Sequence, residues 1–151
     1  MTTSAVVLRE TSIDELESCG GELFVQNWSE VEQHLSSAPP DPLFSAYRQM
    51  EAAGMLVSIG AWDEDKLVGY VMVGVALHLN YQVLAGHHDL LFVDKAHRQG
   101  SNLGMRLIRA AEKGAKERGA KWLFWHAKPD SALATILRAL PVEETVYRRN
   151  L

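Results

Sequence analysis

The sequence predicts a single α/β (α+β) domain over residues 1–151, built on a mixed, mostly antiparallel sheet flanked by helices. Three observations carry this reading. Two apolar runs, 55–62 and 67–77, are separated by the charged turn Asp63-Glu64-Asp65-Lys66, which is the pattern of a hairpin. Four apolar residues, Leu90-Leu91-Phe92-Val93, read as a further buried strand, and a helical pattern follows them after a polar loop. Strand and helix patterns alternate in a chain of 151 residues that is 47% apolar, enough for one sizeable core.

Taken in order, residues 5–9 read as a short first strand. Ser12 is placed to cap a helix, with Glu15 three residues on to complete a capping box. The Gly20-Gly21 pair interrupts that helix, and a second runs over 22–35 with Leu23, Trp28, Val31 and Leu35 on one side. The Pro-rich stretch from Ser36 to Pro42 is a loop. A helix over 43–53 places Leu43, Ala46, Tyr47 and Met50 on one face, and Gly54 stops it. Gly60, Gly69 and Gly74 inside the hairpin strands mark bulges or close backbone approach. Residues 78–86 are polar and carry no clear pattern, and His87-His88-Asp89 lead into the strand at 90–93. Asn102 is placed to cap a helix over 105–118, whose apolar face is Leu103, Leu107, Ile108, Ala111 and Ala115. Gly119 stands where a left-handed stop is expected. A strand over 121–126, a helix over 129–140 and a last strand over 143–149 complete the chain.

Composition narrows the function classes. The lone Cys19 excludes an internal disulfide and fits a reducing cytoplasm. Met1-Thr2-Thr3-Ser4 has neither the basic nor the apolar region of a signal peptide, and no apolar run approaches the length of a membrane span. A net charge of -4 argues against a nucleic-acid surface. His87-His88-Asp89 lacks further ligands at metal-binding spacing, so no metal is expected. Nothing in the composition sets the oligomeric state, and a homodimer is compatible with it.

The stretch from Leu90 to Arg118 organises the rest. A strand, a loop of small residues and a helix point several unpaired backbone N–H groups outward at the positive end of a helix dipole. Such a site suits a phosphate or pyrophosphate. The loop is neither of the two best-known phosphate loops: there is no G-x-x-x-x-G-K-[ST] and no G-x-G-x-x-G, and the chain is short for a full dinucleotide-binding fold.

This segment resembles the signature of the GCN5-related N-acetyltransferases (GNAT), in which a [QR]-x-x-G-x-[GA] loop follows the fourth strand. The matching residues are Gln99-Gly100-Ser101-Asn102-Leu103-Gly104, with Asn102 where the first motif glycine stands. Asn tolerates left-handed backbone angles better than most residues. Val93-Asp94-Lys95-Ala96-His97-Arg98 is similar to the family's V-x-P-x-x-R approach with one extra residue, which leaves open whether Arg98 or Gln99 fills the first loop position. The likeness extends more weakly over 56–151 and is strongest to small members often met in phage genomes. It implies a sheet that splays open beside the fourth strand, with acetyl-CoA as co-substrate in the gap. It implies a pyrophosphate site at Arg98, Gln99, Gly100, Ser101, Asn102, Leu103 and Gly104, and an oxyanion-binding N–H near Phe92 or Val93. The family's N-x-x-A-x-x-L-Y pattern falls on Asp130, Leu133, Ile136 and Leu137, so Asp130 keeps a polar cap beside the cofactor while Leu137 replaces the proton-donating Tyr.

The activity so implied is acyl transfer from acetyl-CoA to a primary amine, on a small molecule or a protein, by direct attack in a ternary complex. Asp89 ranks first as the base, because an acid entering an apolar strand is costly unless paired or functional. His88 ranks second. Tyr147 is the foremost substitute for the missing acid, with Ser131 and His126 alike by residue type. The expected acceptor contacts are Trp28, Glu30, His78 and Tyr81, beside the Pro39-Pro40 loop. Glu32 competes with Glu30, since helical positions two apart do not share a face. The alternative is a non-catalytic acyl-CoA-binding or host-protein-binding module on the same fold, favoured by Leu137 and Asn102.

Overall fold

The computed structural model describes residues 5–34 and 36–151. Strand β1 (Val7–Glu10) leads into helices α1 (Ile13–Cys19) and α2 (Gly21–Asn27), and α2 runs into a π-helical turn at Trp28–Glu32. Helix α3 (Phe44–Ala52) precedes β2 (Leu56–Asp63), β3 (Lys66–His78) and β4 (Val83–Val93). A single 3-10 turn at Lys95–His97 precedes α4 (Leu103–Glu117), followed by β5 (Trp122–Phe124) and α5 (Ala132–Leu137). The sheet order is β1-β2-β3-β4-β5; the first three pairings are antiparallel and the last is parallel.

Both faces of the sheet are covered, which explains why β2 and β3 read as near-continuous apolar runs. On one face, α4 packs Leu103, Leu107, Ala111 and Ala115 against Val57, Val68, Val71, Val73 and Val75. On the other, Ile13, Leu16, Leu23 and Phe24 from α1 and α2 pack against Trp62, Tyr70, Met72 and Phe92. The capping box at Ser12 and Glu15 forms as expected. Next to it, buried Thr11 binds the sheet: its N–H donates to the Ser58 carbonyl, the Ser58 hydroxyl donates to the Thr11 carbonyl, and Trp62 Nε1 donates to Thr11 Oγ1.

Three expectations change. Residues 78–86 form one tight hairpin, because β3 continues to His78 and β4 already begins at Val83. Its pattern is unclear because residues 79–82 form the exposed tip, where no buried face selects an apolar period. The second helix changes to π geometry at Trp28 instead of continuing unbroken, and Leu35, expected on its buried side, lies outside the described residues. The last strand over 143–149 does not form, and residues 141–151 are exposed. Val146 and Tyr147 are adjacent, so a strand would point them to opposite sides, and the flanking Glu143, Glu144, Arg148 and Arg149 supply no apolar face.

Gly60 is the tightest point of the core. A Cβ there would meet Thr11 Oγ1 at 2.5 Å, Trp62 Nε1 at 2.7 Å and Leu67 Cδ1 at 2.9 Å. Gly60→Ala should therefore cost about 1–3 kcal/mol in urea unfolding; an unchanged midpoint would show that the Thr11–Trp62 contact gives way freely.

Candidate active site

β4 pairs with β5 at only three positions, Ala85↔Trp122, Gly86↔Leu123 and His87↔Phe124. Beyond them β4 continues to Val93 with β3 as its partner, while the chain after Phe124 leaves strand geometry. A wedge therefore opens beside Leu90–Val93. Its closed end is at His88–Asp89, and its open end meets the loop that starts α4.

The closed end is built on a bulge. Leu90 pairs with Met72 and His88 with Val73, so Asp89 is an extra residue without an opposite number. The bulge turns Asp89 toward α3, where Tyr47 donates its hydroxyl to Asp89 Oδ2 at 2.5 Å. Burial, and then the Asp89 carboxylate, push the Tyr47 phenol well above its ordinary pKa, so it stays a protonated donor. His88 is held by the chain leaving β5: the His126 backbone N–H donates to His88 Nδ1 at 3.3 Å, and His126 Nδ1 donates to the His88 carbonyl at 3.1 Å. The His88 ring lies 5.2 Å from Trp125, centre to centre. Burial, assisted by His126 and opposed by Asp89, brings the His88 pKa down to about 4. The ring is therefore neutral at pH 7, with Nδ1 accepting and the proton on Nε2, which is buried and has no partner among the described residues.

The open end is clasped by a polar network. Buried Asp94 accepts from Gln26 Nε2 at 3.2 Å, and its other oxygen binds His97 Nδ1 at 3.0 Å; His97 Nε2 reaches Asp63 Oδ2 at 3.2 Å. Burial alone would raise the Asp94 pKa, but the hydrogen bonds from Gln26, His97 and the Ala96 N–H outweigh it and hold the pKa below its ordinary value. The network fixes the loop between α2 and the β2–β3 turn. Arg98 folds back over Phe92, donating to the Val93 carbonyl and pairing with Glu30 Oε2, both at 2.8 Å. That leaves Gln99 at the exposed head of the loop. The left-handed residue is Gly100, at φ +67°, rather than Asn102, at φ −103°. Asn102 does not cap α4 with its side chain; the Leu103 N–H finds Ser101 Oγ at 3.4 Å instead. The helix starts at Leu103, two residues before the expected start, and no acidic side chain lies in its first turn. A Cβ on Gly104 would meet nothing closer than Ile136 Cδ1 of α5, at 3.7 Å. Free first-turn amides beside a residue without a side chain fit a pyrophosphate.

Residues 22–136 match the model of the Acetyltransferase (GNAT) family. The chain belongs to that family. Among solved structures, it is similar to the ribosomal-protein-alanine N-acetyltransferase of Brucella melitensis biovar Abortus 2308, with 20% identity, 97% of this chain and 98% of that one covered, and a TM-score of 0.74. It is also similar to an aminoglycoside acetyltransferase from an uncultured soil metagenomic sample, at 17% identity, 97% of each chain covered and a TM-score of 0.72. A third is glucosamine-6-phosphate N-acetyltransferase from Arabidopsis thaliana, at 14% identity, with 97% of this chain and 98% of that one covered and a TM-score of 0.71. At these identities the likeness speaks for the fold. No curated protein matches the chain.

Within the GNAT fold the remaining candidate residues separate. Trp28 is half-buried in the π turn, with its Nε1 unpartnered among the described residues. Glu30 and Glu32 both find cations, Arg98 at 2.8 Å and Lys128 at 3.8 Å. His78 and Tyr81 sit at the far hairpin tip against Trp122. His78 pairs with Val83, six residues before Asp89, which puts them roughly 20 Å from Asp89 along β4. Asp130 adopts φ +62° and is exposed, and the cap of α5 is Ser131, which accepts from the Ala134 N–H at 3.1 Å. Tyr147 is 89% exposed on a segment without strand structure, so the last strand that was to carry it to the site is absent. Among the described residues no cluster of His, Cys, Asp and Glu is placed to hold a metal ion, and no helix is long and apolar enough to cross a membrane. The partners that sequence reading missed are Tyr47, read only as a core-face residue, and the Gln26–Asp94–His97–Asp63 clasp. The clasp left one trace, an Asp at a strand end with a His three residues later.

A neutral His88 makes stability depend on pH. Unfolded, the imidazole takes a proton near pH 6.5; folded, it resists until about pH 4. Stability from this source is complete above about pH 6.5 and is lost as pH falls toward 4, by at most about 3 kcal/mol. His87, whose pKa burial also lowers, adds in the same direction. Urea unfolding near pH 7 and near pH 4.5 should show the loss in wild type and a smaller one in His88→Phe; equal losses would show that His88 is not the titrating group.

Proposed function

We propose that this GNAT protein transfers an acetyl group from acetyl-CoA to a primary amine of a small molecule or protein, by direct attack in a ternary complex. The observation that supports this most is continuity. One strand, β4, runs from an anion-binding helix start, along an unpaired edge, to a bulged carboxylate. The open first-turn amide of Gly104, with Gln99, Gly100, Ser101, Asn102 and Leu103 around it, holds the pyrophosphate. The β4 edge at Leu90–Val93 lines the acyl arm, and the Trp28–Glu32 turn lies at the rim on the acceptor side.

In the reaction the amine nitrogen bonds to the thioester carbonyl carbon, the C–S bond breaks, and CoA departs with the sulfur electron pair. The proton released from nitrogen passes to Asp89, directly or through one water, and Tyr47 steadies that carboxylate. A thiolate is stable enough near neutral pH to leave without a positioned acid, which agrees with Leu137 at the family's Tyr position and with the exposure of Tyr147. The single cysteine, Cys19, is free and exposed, which suits a reducing cytoplasm. Leu137 equally favours the second reading, a non-catalytic acyl-CoA-binding or protein-binding module. Release of CoA thiol from acetyl-CoA in the presence of a panel of amines decides between the two.

Two variants test the residue roles. Gly104→Glu removes a glycine from a helix and adds an acid to its first turn, so its melting temperature should hold or rise. Its charge would face the pyrophosphate, and calorimetry should find acetyl-CoA affinity lowered roughly 100-fold or more; equal affinity would remove the loop from the binding site. Asp89→Asn should lower turnover at neutral pH roughly 10²-fold, with the deficit shrinking at high pH where the amine deprotonates unaided. Unchanged turnover on a working acceptor would take Asp89 out of the mechanism.

A further inference from the structure

Residues 143–149 read Glu-Glu-Thr-Val-Tyr-Arg-Arg, an order that is complementary to itself when reversed. Laid antiparallel on a second copy about Val146, Glu143 faces Arg149, Glu144 faces Arg148, Thr145 faces Tyr147, and Val146 faces Val146. A twofold axis through Val146 repeats each contact, so both ends of the pair are matched in charge. Parallel pairing would set like charges side by side, and an antiparallel slip of one residue keeps only one of the two charge matches. Opposite charges directly across an antiparallel pair stabilise it, and like charges destabilise it. Within one chain the segment has no strand structure, and Val142, Val146 and Tyr147 are 88%, 78% and 89% exposed. The sheet supplies a place for it. β5 is last in the sheet order, so among the described residues its outer edge has no strand beside it. That strand is apolar on both faces: Trp122 and Phe124 lie together on one, and Leu123 packs into the α4 core on the other. A strand beside it finds cover for both Val146 and Tyr147, which point to opposite faces. The segment is also close by, since the Glu144 charge is felt at His87, the pairing partner of Phe124.

We infer that two copies of this chain associate through residues 143–149, which pair antiparallel about Val146 and extend each sheet from the outer edge of β5. The inference goes beyond the acetyl-transfer reading and does not depend on it. A two-stranded ribbon alone is marginal in water, so the paired segments need β5 on either side. One segment beside its own β5 is also insufficient. It would face Trp122, Leu123 and Phe124, none of them charged, whereas the second copy sets a cation opposite each acid. In the pair, β5 of one copy, the two segments and β5 of the other run side by side, and neither sheet keeps a free edge there. The contact is isologous, the same surface on both copies, so assembly closes at two.

Sedimentation velocity on the full chain tests this without any substrate. Wild type should form a dimer that dissociates on dilution; a monomer at the highest concentration that stays in solution would overturn the inference. Two double variants make the segment single-signed. Glu143→Arg with Glu144→Arg leaves cations at both ends, and Arg148→Glu with Arg149→Glu leaves acids at both. Each alone should raise the dissociation constant roughly tenfold or more, because every opposite-charge pair becomes a like-charge one. Mixed in equal amounts, the two should form a heterodimer. Doubles that self-associate as wild type does, or a mixture that stays monomeric, would overturn the inference. The variant with all four substitutions restores the self-complementary order and should dimerise again; its failure would show that the charges answer to fixed groups elsewhere in the chain. Register is tested in a Cys19→Ser background, since Cys19 is exposed and free. There Val146→Cys, which faces its own copy, should give a disulfide-linked dimer on mild oxidation, whereas Val142→Cys, which faces Asn150, should not. Cross-linking that does not favour position 146 would overturn the pairing. Hydrogen exchange in 143–149 and in β5 should slow as concentration rises through the dimerisation range, and exchange independent of concentration in either would count against it.

Discussion

The site depends on a limit to backbone pairing. β4 has two strand neighbours as far as His87 and one beyond it. A strand edge inside a folded protein carries N–H and C=O groups that must be met by something, and a sheet normally meets them with the next strand. Here the next strand turns away after three residues, so part of the β4 edge has no strand beside it. The α4 helix start and the carboxylate bulge matter because they stand at the two ends of that edge. Moved to another strand, neither would define a path.

The bulge has a packing cause as well as a chemical consequence. Ala85 is buried within the sheet and Leu84 packs on the α4 side; after Asp89, Leu90 and Phe92 belong to the α1–α2 side, and Leu91 and Val93 to the α4 side. Strict alternation from Ala85 would put residues 89, 91 and 93 together on one face. The extra residue shifts the phase so that both halves of β4 present apolar side chains to the core behind them. Asp89 is the residue that the phase shift leaves over. A charged side chain is tolerated there because neither core claims the position and because Tyr47 supplies a donor.

The elements that bury an apolar face were legible in the sequence. The α4 stripe, the β2–β3 hairpin and the capping box at Ser12 each follow from a period or a local cap, and each is present. So was the strand–loop–helix unit after β4, although the identity of its left-handed residue was not: it is Gly100 and not Asn102. Features that depend on distant partners were not legible. Nothing near Tyr47 in the chain announces Asp89, 42 residues away, and Asp63, Asp94 and His97 meet only because the β2–β3 turn lies beside the end of β4. The last strand was misread because alternation of charge around two adjacent apolar residues looks like a strand until one asks which face would be buried.

The π turn at Trp28–Glu32 ties these parts together. Glu30 neutralises Arg98, which follows β4, and Glu32 lies by Lys128, which follows β5. One short turn thus spans the chain segments on both sides of the wedge, and it engages a cation from each. A regular α-helix with the same sequence would place the two acids otherwise, since widening the turn changes the angle between successive side chains. With Arg98 drawn back to Glu30, the charge that would greet an anion comes from backbone amides at the start of α4 rather than from a guanidinium. Backbone dipoles are fixed by the helix and need no side-chain ordering to act. In a chain whose net charge is -4, a helix start without acidic side chains keeps those fixed dipoles from being cancelled where β4 ends.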